Sequence, residues 1–437
     1  MKSNISFYSV TVYAFLIITL TACSQSRELT EQSAGEPFDP AAIFLTWQND
    51  PATTMTIDWH STPEDGRRGS ELHFRKDGES EWKVTQGTWH SFPHSDRMIH
   101  RVELRRLEPA TIYHFRFGED SKEYHFRTMP GDLSEPVRFV TGGDTSHSQH
   151  DMTAVAMTYD PDFILWGGDL AYANGTPERA YRWYGWFDGI KENLISEDGR
   201  VVPVLVAIGN HELFRVGRLT RGSDPMSEEE IEAYLTEHNL WDRKATYFFD
   251  LFAFPGRQDA AWEVLDFADY MSVIILDSDH NYYPQDNPVV EGVQTGWLDA
   301  VLKERQDRPH VFPVYHVPAY PSHRSFDGGT STRIREHWVP LFEKYGVRVA
   351  FENHDHTYKR THPIRDGKIA EDGIVYMGDG NWGRSPRSGE NKDEWYINRF
   401  ESLVHGIVVT VSADRQEYIM VDDTGREFDS YTITISP

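Results

Sequence analysis

Two histidines one residue apart, His354 and His356 in FENHDHTYKR, follow the apolar run VRVAF, which reads as a buried strand. In an extended segment residues i and i+2 point to the same side, so both imidazoles aim at one point in space. Four earlier apolar runs end in side chains of the same kind: Asp144 in GGDTS, Asp169 and Tyr172 in GGDLAY, Asn210 and His211 in GNHE, and His316 in VYHVP. Carboxylates, imidazoles, an amide and a phenol are all metal-capable. Singly, each has a plain explanation: Asp after Gly-Gly is a turn residue, Asn210 caps a helix, and His316 is a polar loop residue. Five such strand ends in order carry more weight, because open α/β sheets place their sites beyond the carboxyl ends of strands. Loops distant in sequence then meet. The preceding glycines, Gly142, Gly143, Gly167, Gly168 and Gly209, suit the tight turns that would aim the ligands inward. The chain has no GxxxxGKS/T phosphate loop, no HExxH helix and no GxSxG elbow. That removes the familiar kinase, zinc-protease and serine-hydrolase readings.

The elements that must position these residues lie between 136 and 437, where apolar strand-like runs alternate with helical stretches. VRFVTGGD leads to a helix near 151–159, PDFILWGGD to one near 177–193, YMSVIILDSD to one near 294–306 and HVFPVYHVP to one near 332–345. Strands buried on both faces read as continuous Val/Ile/Leu runs, so this alternation predicts an α/β layered core. VTVSADRQEYIMVD and YTITISP add antiparallel strands, and the polar insertion FRVGRLTRGSDPMSEEEIEAYLTEH is expected near a substrate mouth. Residues 39–130 follow another rhythm. Seven short alternating runs, from AIFLTWQ through WKVTQGTWH to EYHFRTM, predict a β-sandwich. LEPATIYHFRF looks like the fibronectin type III stretch in which a tyrosine, here Tyr113, caps a sheet corner. His60, His73, His90, His94, His100, His114 and His125 lack tight ligand spacing and are read as strand-face residues, so this segment is assigned no chemistry.

The whole chain has 437 residues, 39% hydrophobic and 13% aromatic, enough for two or three domains with a sizeable core. Its net charge of −26, from 43 basic and 69 acidic residues, argues against a general nucleic-acid binder, and no duplex partner is expected. The N-terminus, with Lys2, an apolar run from Val10 to Leu20 and then LTAC, reads as a secretion signal over 1–22. Cys23, the only cysteine, follows Leu-Thr-Ala as in the lipobox of bacterial lipoproteins. That resemblance implies lipidation of Cys23, a polar tether over 23–38, export to the periplasm or outer membrane, and membrane contact only through the lipid.

The five blocks together resemble the calcineurin-like metallophosphoesterases, and within them the purple acid phosphatases: an Asp block, then GDxxY, GNH, xxH and GHxH. The likeness covers nearly the whole mature chain, because large purple acid phosphatases also carry an N-terminal fibronectin-like domain. Two positions depart from the pattern: Asn353 stands where the family has Gly, and Ala171 precedes the tyrosine. The resemblance implies a four-layer α/β/β/α metallophosphoesterase core after an all-β fibronectin type III-like sandwich. It implies a first metal on Asp144, Tyr172 and His356, a second on Asn210, His316 and His354, and Asp169 bridging them. The first set suits Fe(III) and the second Zn, Mn or Fe(II). His211 would reach the phosphoryl group or the leaving oxygen, His323 is a candidate proton donor, and Arg324 a candidate for binding phosphate oxygens. His147 and His150 are read as loop histidines, and Asp379 as a structural turn residue. The implied activity is hydrolysis of small phosphate monoesters by a hydroxide held on the metals. Diester or nucleotide hydrolysis on the same site, and a non-catalytic surface-binding role, are the alternatives. The sequence sets no oligomeric state.

Overall fold

A computed structural model describes residues 37–65, 69–146, 149–215, 217, 225–238, 245–255, 260–282 and 287–435. The expected signal, Cys23, the tether up to residue 36, and His147 lie outside these residues.

The N-terminal part is a sandwich of two four-stranded antiparallel sheets. All eight residues of strand Thr54–Ser61 are buried, although a strand covered on one face should alternate. Both faces are in fact covered. Trp59 packs 4.7 Å from Phe117 of the opposite sheet, while its neighbour His60 packs 4.6 Å from Phe187 on helix Tyr181–Asn193. Tyr113 takes the corner position expected of it, its hydroxyl accepting the Glu108 backbone N–H at 2.9 Å.

One expectation needs correction: WKVTQGTWH is two strands, Lys83–Gln86 and Thr88–Ser91, in different sheets. The break falls at Gly87, where a Cβ would sit 2.1 Å from the Arg101 carbonyl oxygen. Only glycine lets the chain cross that close to the neighbouring strand.

Beyond the sandwich, two sheets face each other. The six-stranded sheet runs in the order of strands starting at Val204, Phe163, Val137, His405, Arg415 and Glu427. The seven-stranded sheet runs Glu263, Met271, His310, Val349, Val375, Tyr358, Ile397. Strands Val137–Gly142, Phe163–Trp166 and Val204–Val206 are parallel, as are His310–Val314, Val349–Glu352 and Val375–Gly378, and each central run is fully or almost fully buried. Phe139 of the first sheet meets Phe312 and Phe351 of the second at 5.6 and 6.1 Å. On the outer faces, Met152 of helix His150–Met157 reaches Gly406, and Trp338 and Phe342 pack against Tyr315. The expected helix over 332–345 is broken into Gly329–His337 and Val339–Lys344, because Pro340 starts a new turn and cannot continue the old one. The sandwich joins this core through Trp47, which packs 5.8 Å from both Phe163 and Phe267.

Buried neutral histidines make this architecture acid-sensitive. His100 stacks 5.0 Å from Trp59 and bonds to the hydroxyls of Ser61 and Ser70 at 2.8 and 3.0 Å. Burial, and secondarily His90, push its imidazole down to about 4. The folded value lies below the unfolded one of about 6.5, so this contribution is present above that pH and is lost as pH falls toward 4. His310 and His405 behave alike. The urea midpoint should therefore decline between about pH 6.5 and 4, and His100→Gln, which cannot titrate, should show a shallower decline.

Candidate metal centre

The two parallel triplets end on one side of the molecule, and their terminal loops meet there. Asp144 follows strand Val137–Gly142, and Tyr172 follows Phe163–Trp166. His356 lies between Val349–Glu352 and Tyr358–Thr361. The Tyr172 hydroxyl is 3.0 Å from Asp144 Oδ1 and 3.1 Å from His356 Nε2, and that nitrogen is 2.9 Å from the same Asp144 oxygen. With metal–ligand distances of about 2.0–2.2 Å, adjacent ligands on an octahedral ion lie about 3 Å apart, so these three atoms have the spacing of one coordination face.

A second group adjoins the first. His316 Nδ1 donates to the Gly167 carbonyl at 2.9 Å, which turns Nε2 toward Asp169 Oδ2 at 3.2 Å and His354 Nδ1 at 3.0 Å. One ligand atom from each of Asp169, His316 and His354 lies within 4.8 Å of the others. Two imidazole nitrogens 3.0 Å apart repel unless a proton or a cation lies between them. Burial alone would lower His316, but the Asp169 and Asp144 carboxylates push it up to about 10, so without a cation it keeps that proton. Burial, with His316 and Arg324, holds His354 well below the ordinary range, as a neutral imidazole. Burial opposes ionisation of Asp169, yet the neighbouring imidazoles of His316 and His211 hold it well below the usual carboxylate range. These donors therefore fit cations. Asn210 is buried beside them in the GNHE turn.

His211 sits at the edge. Its backbone N–H bonds Asp169 Oδ1 at 2.7 Å, its Nδ1 bonds the Asn174 side-chain oxygen, and its Nε2 lies 3.9 Å from Asp169 Oδ2. An oxygen partner requires Nδ1 to carry a proton, so Nε2 is the nitrogen presented to the ligand group.

Behind the ligands lies a buried layer that sequence reading missed. The Glu212 carboxylate accepts backbone N–H groups of Asp169, Leu170 and Gly209, each at 2.8 Å. Lys359, wholly buried, reaches Glu352 at 2.5 Å and Asp379 at 2.8 Å, closing the loop that carries both histidines. Asp379 in turn accepts from Ser322, and its carbonyl accepts the His356 N–H at 2.9 Å. The structural role read for Asp379 thus fits. Glu212 was visible as the fourth residue of GNHE; a buried lysine in HTYKR had no such signal.

Asn353 explains the departure at the final block. It keeps φ outside the left-handed region, which His354 and His356 adopt instead at 81° and 56°. Its amide occupies space that only glycines leave: Cβ atoms at Gly143 and Gly167 would meet it at 2.4 and 1.8 Å. Asn353 Nδ2 also donates to the Tyr315 carbonyl at 3.0 Å, so one side chain wedges three ligand-bearing loops.

Other candidates are placed as follows. Arg324 is tied to Asp355 Oδ1 at 2.7 Å and to the His354 carbonyl at 2.6 Å. The His323 N–H also bonds Asp355, at 2.7 Å, leaving its ring half-buried and lowered first by burial. His150, expected in a loop, is instead the first residue of helix His150–Met157, where it pairs with Glu192 at 3.1 Å.

Comparisons with known proteins agree with this architecture. The profile for the purple acid phosphatase N-terminal domain matches residues 40–128, and that for calcineurin-like phosphoesterases matches residues 138–358. Purple acid phosphatase 15 of Arabidopsis thaliana is 27% identical over 316 residues, 65% of this chain and 53% of its own length. Probable purple acid phosphatase 20 of the same plant is 26% identical over 77% of this chain and 74% of its own. The chain thus spans about half to three quarters of these relatives. A purple acid phosphatase from yellow lupin seeds shares the fold at a TM-score of 0.70 and 18% identity, covering 90% of this chain and 74% of that one.

The Asn353 wedge is testable. Asn353→Ala leaves the Tyr315 carbonyl without its donor and opens a void, which should cost about 1–3 kcal/mol. Thermal unfolding of the metal-free protein and metal retained against a chelator should both fall; neither changing would refute the wedge.

Proposed function

This chain belongs to the calcineurin-like phosphoesterases, and we propose that it is a dinuclear-metal phosphohydrolase of the purple acid phosphatase kind, releasing inorganic phosphate from small phosphate monoesters. The observation that carries this reading is the meeting of Asp144, Tyr172 and His356 beside Asp169, His316 and His354, from loops far apart in sequence. In this reading Asp144, Tyr172 and His356 hold one cation, and Asn210, His316 and His354 the other. Asp169 lies between the two sets. A phenol with carboxylates suits Fe(III), and an amide with two imidazoles suits Zn, Mn or Fe(II). Bound cations would supply Lewis acidity, making water nucleophilic near neutral pH and offsetting charge on phosphoryl oxygens.

The protein's own part is orientation and proton transfer. Asn174 holds His211 by Nδ1, and the Tyr172 ring lies 4.1 Å away, so the imidazole has little freedom. Once protonated, its Nε2–H is placed to donate to the departing oxygen. Glu212 holds the turns on either side of Asp169 by accepting three backbone N–H groups. We also propose that the protein is exported as a lipoprotein lipidated at Cys23, to the outer membrane or periplasm; the supporting feature is LTAC after an apolar run. Cys23→Ser should abolish incorporation of labelled fatty acid and release the protein from membranes.

Activity on a panel of mono- and diesters, with metal analysis of the same sample, tests the enzyme. His211→Ala should lower kcat by about 10²–10⁴ with both metals retained, whereas Asp169→Asn should lose metal as well. Unchanged turnover in both variants would favour a binding protein. A visible absorption band that disappears in Tyr172→Phe marks an Fe(III)–phenolate; a colourless enzyme indifferent to that substitution carries other metals.

A further inference from the structure

The loop after the last parallel strand carries two arginines, in NWGRSPRSG. Its ends are bonded to two of the proposed ligand residues: the Gly383 N–H donates to the Asp144 carbonyl at 3.1 Å, and the Arg387 N–H to the His356 carbonyl at 3.0 Å. Arg384 and Arg387 are therefore fixed against the metal centre at both ends of a short bridge. The Arg384 guanidinium carbon lies 4.4 Å over the ring of Tyr172. Stacking uses only the flat face of a guanidinium and leaves its in-plane N–H donors available to oxygens.

Neither arginine has a carboxylate partner among the described residues, in a protein of net charge −26. Some other partly buried arginines do have such partners, as Arg101 has Asp58 and Arg360 has Asp429. Arg384 Nε is buried without an acceptor among the described residues. Asp151 and Asp423 share a cavity of about 270 Å³ with Arg384, yet neither makes an ion pair with it. Arg387 Nη1 reaches the His354 carbonyl at 3.3 Å, the oxygen that Arg324 Nη1 already holds at 2.6 Å. Two cations on one carbonyl repel, and of the two only Arg324 has Asp355 to offset it. The cluster is short of an anion.

We infer that Arg384 and Arg387 form an anion subsite beside the metal centre, which takes a second negatively charged group on the leaving-group side of the substrate. The favoured substrates are phosphoanhydrides and phosphate esters whose leaving group is itself anionic. The inference rests on the phosphohydrolase reading for its biological meaning, and on the two arginines for its chemistry.

Titration calorimetry of the metal-loaded protein with orthophosphate and with imidodiphosphate, whose bridging nitrogen resists hydrolysis, reads the subsite without turnover. Imidodiphosphate should bind about tenfold tighter or more, the worth of one or two charge-assisted hydrogen bonds. The double variant Arg384→Gln, Arg387→Gln should erase that margin with its unfolding midpoint near that of the parent, and Arg384→Lys should keep part of it. Equal binding of the two anions by the parent, or a margin that survives the double substitution, overturns the subsite. In steady state, the ratio of kcat/KM for pyrophosphate to that for p-nitrophenyl phosphate should fall about tenfold in the double variant. An equal fall on both substrates would place the arginines on the scissile phosphoryl group and overturn the proposal. No turnover of any ester by the parent would fault the phosphohydrolase reading, while the calorimetric margin decides the subsite by itself.

Discussion

Five of the seven side chains proposed to face the cations stand on left-handed backbone: Asp144, Asp169, Tyr172 and His356 at φ of 55–57°, and His354 at 81°. L-residues pay about 1–2 kcal/mol for that conformation. The geometry explains why it is used. A parallel strand delivers an extended chain to the edge of the sheet, and one reversed residue turns the next side chain back into the cleft. The rest of the site follows from keeping those reversals in place. Glu212 ties down the Asp169 turn, Asp379 holds His356, and the Asp144 carboxylate accepts the His354 N–H at 2.8 Å. Each strained residue is thus gripped by a buried bond from another loop.

The same layer sets the electrostatics. Two carboxylates, several imidazoles and a phenol are withdrawn from water in one place, which is costly unless opposite charges meet. Without cations the site balances itself with protons: the one on His316, the hydroxyl proton that Tyr172 gives to Asp144, and the one on His211 shared with Asn174. Cations replace protons in such sites, so ligand geometry and protonation are one equilibrium. The neighbouring Glu352–Lys359–Asp379 group is different in kind. It is fully buried, touches none of the metal-facing atoms, and serves to close the histidine loop at its base.

Much of this was legible in the primary structure. Apolar runs marked the central strands, and the residues directly after them marked the centre, because a parallel sheet aligns all its carboxyl ends. The order of the strands was not legible, since pairing between strands starting at Val137 and His405 spans most of the chain and leaves no local trace. Gly87 looked like a residue within one long run, and only the opposite carbonyl explains it. Pro340 prefers the first turn of a helix and so marks in the sequence itself where the helix expected over 332–345 divides. Asn353 could not have been interpreted without coordinates, because its partners are the empty faces of Gly143 and Gly167, and a missing side chain has no signature of its own.

Overall charge and local charge act at different ranges here. A net charge of −26 repels an anionic substrate at a distance, but at physiological ionic strength that field decays over about 8 Å. Capture then depends on the charges within that range of the cleft. Arg324 follows the proposed ligand His316 on its loop, Arg384 and Arg387 lie on a neighbouring loop bonded to Asp144 and His356, and of the three only Arg324 has an acidic partner among the described residues. Arginines at the edge of a cleft in an acidic protein would discriminate by depth: an anion gains only when it enters far enough to leave the repelling surface behind. The turns that aim ligands inward and the loop that carries Arg384 and Arg387 are therefore parts of one arrangement, joined through the backbone of Asp144 and His356.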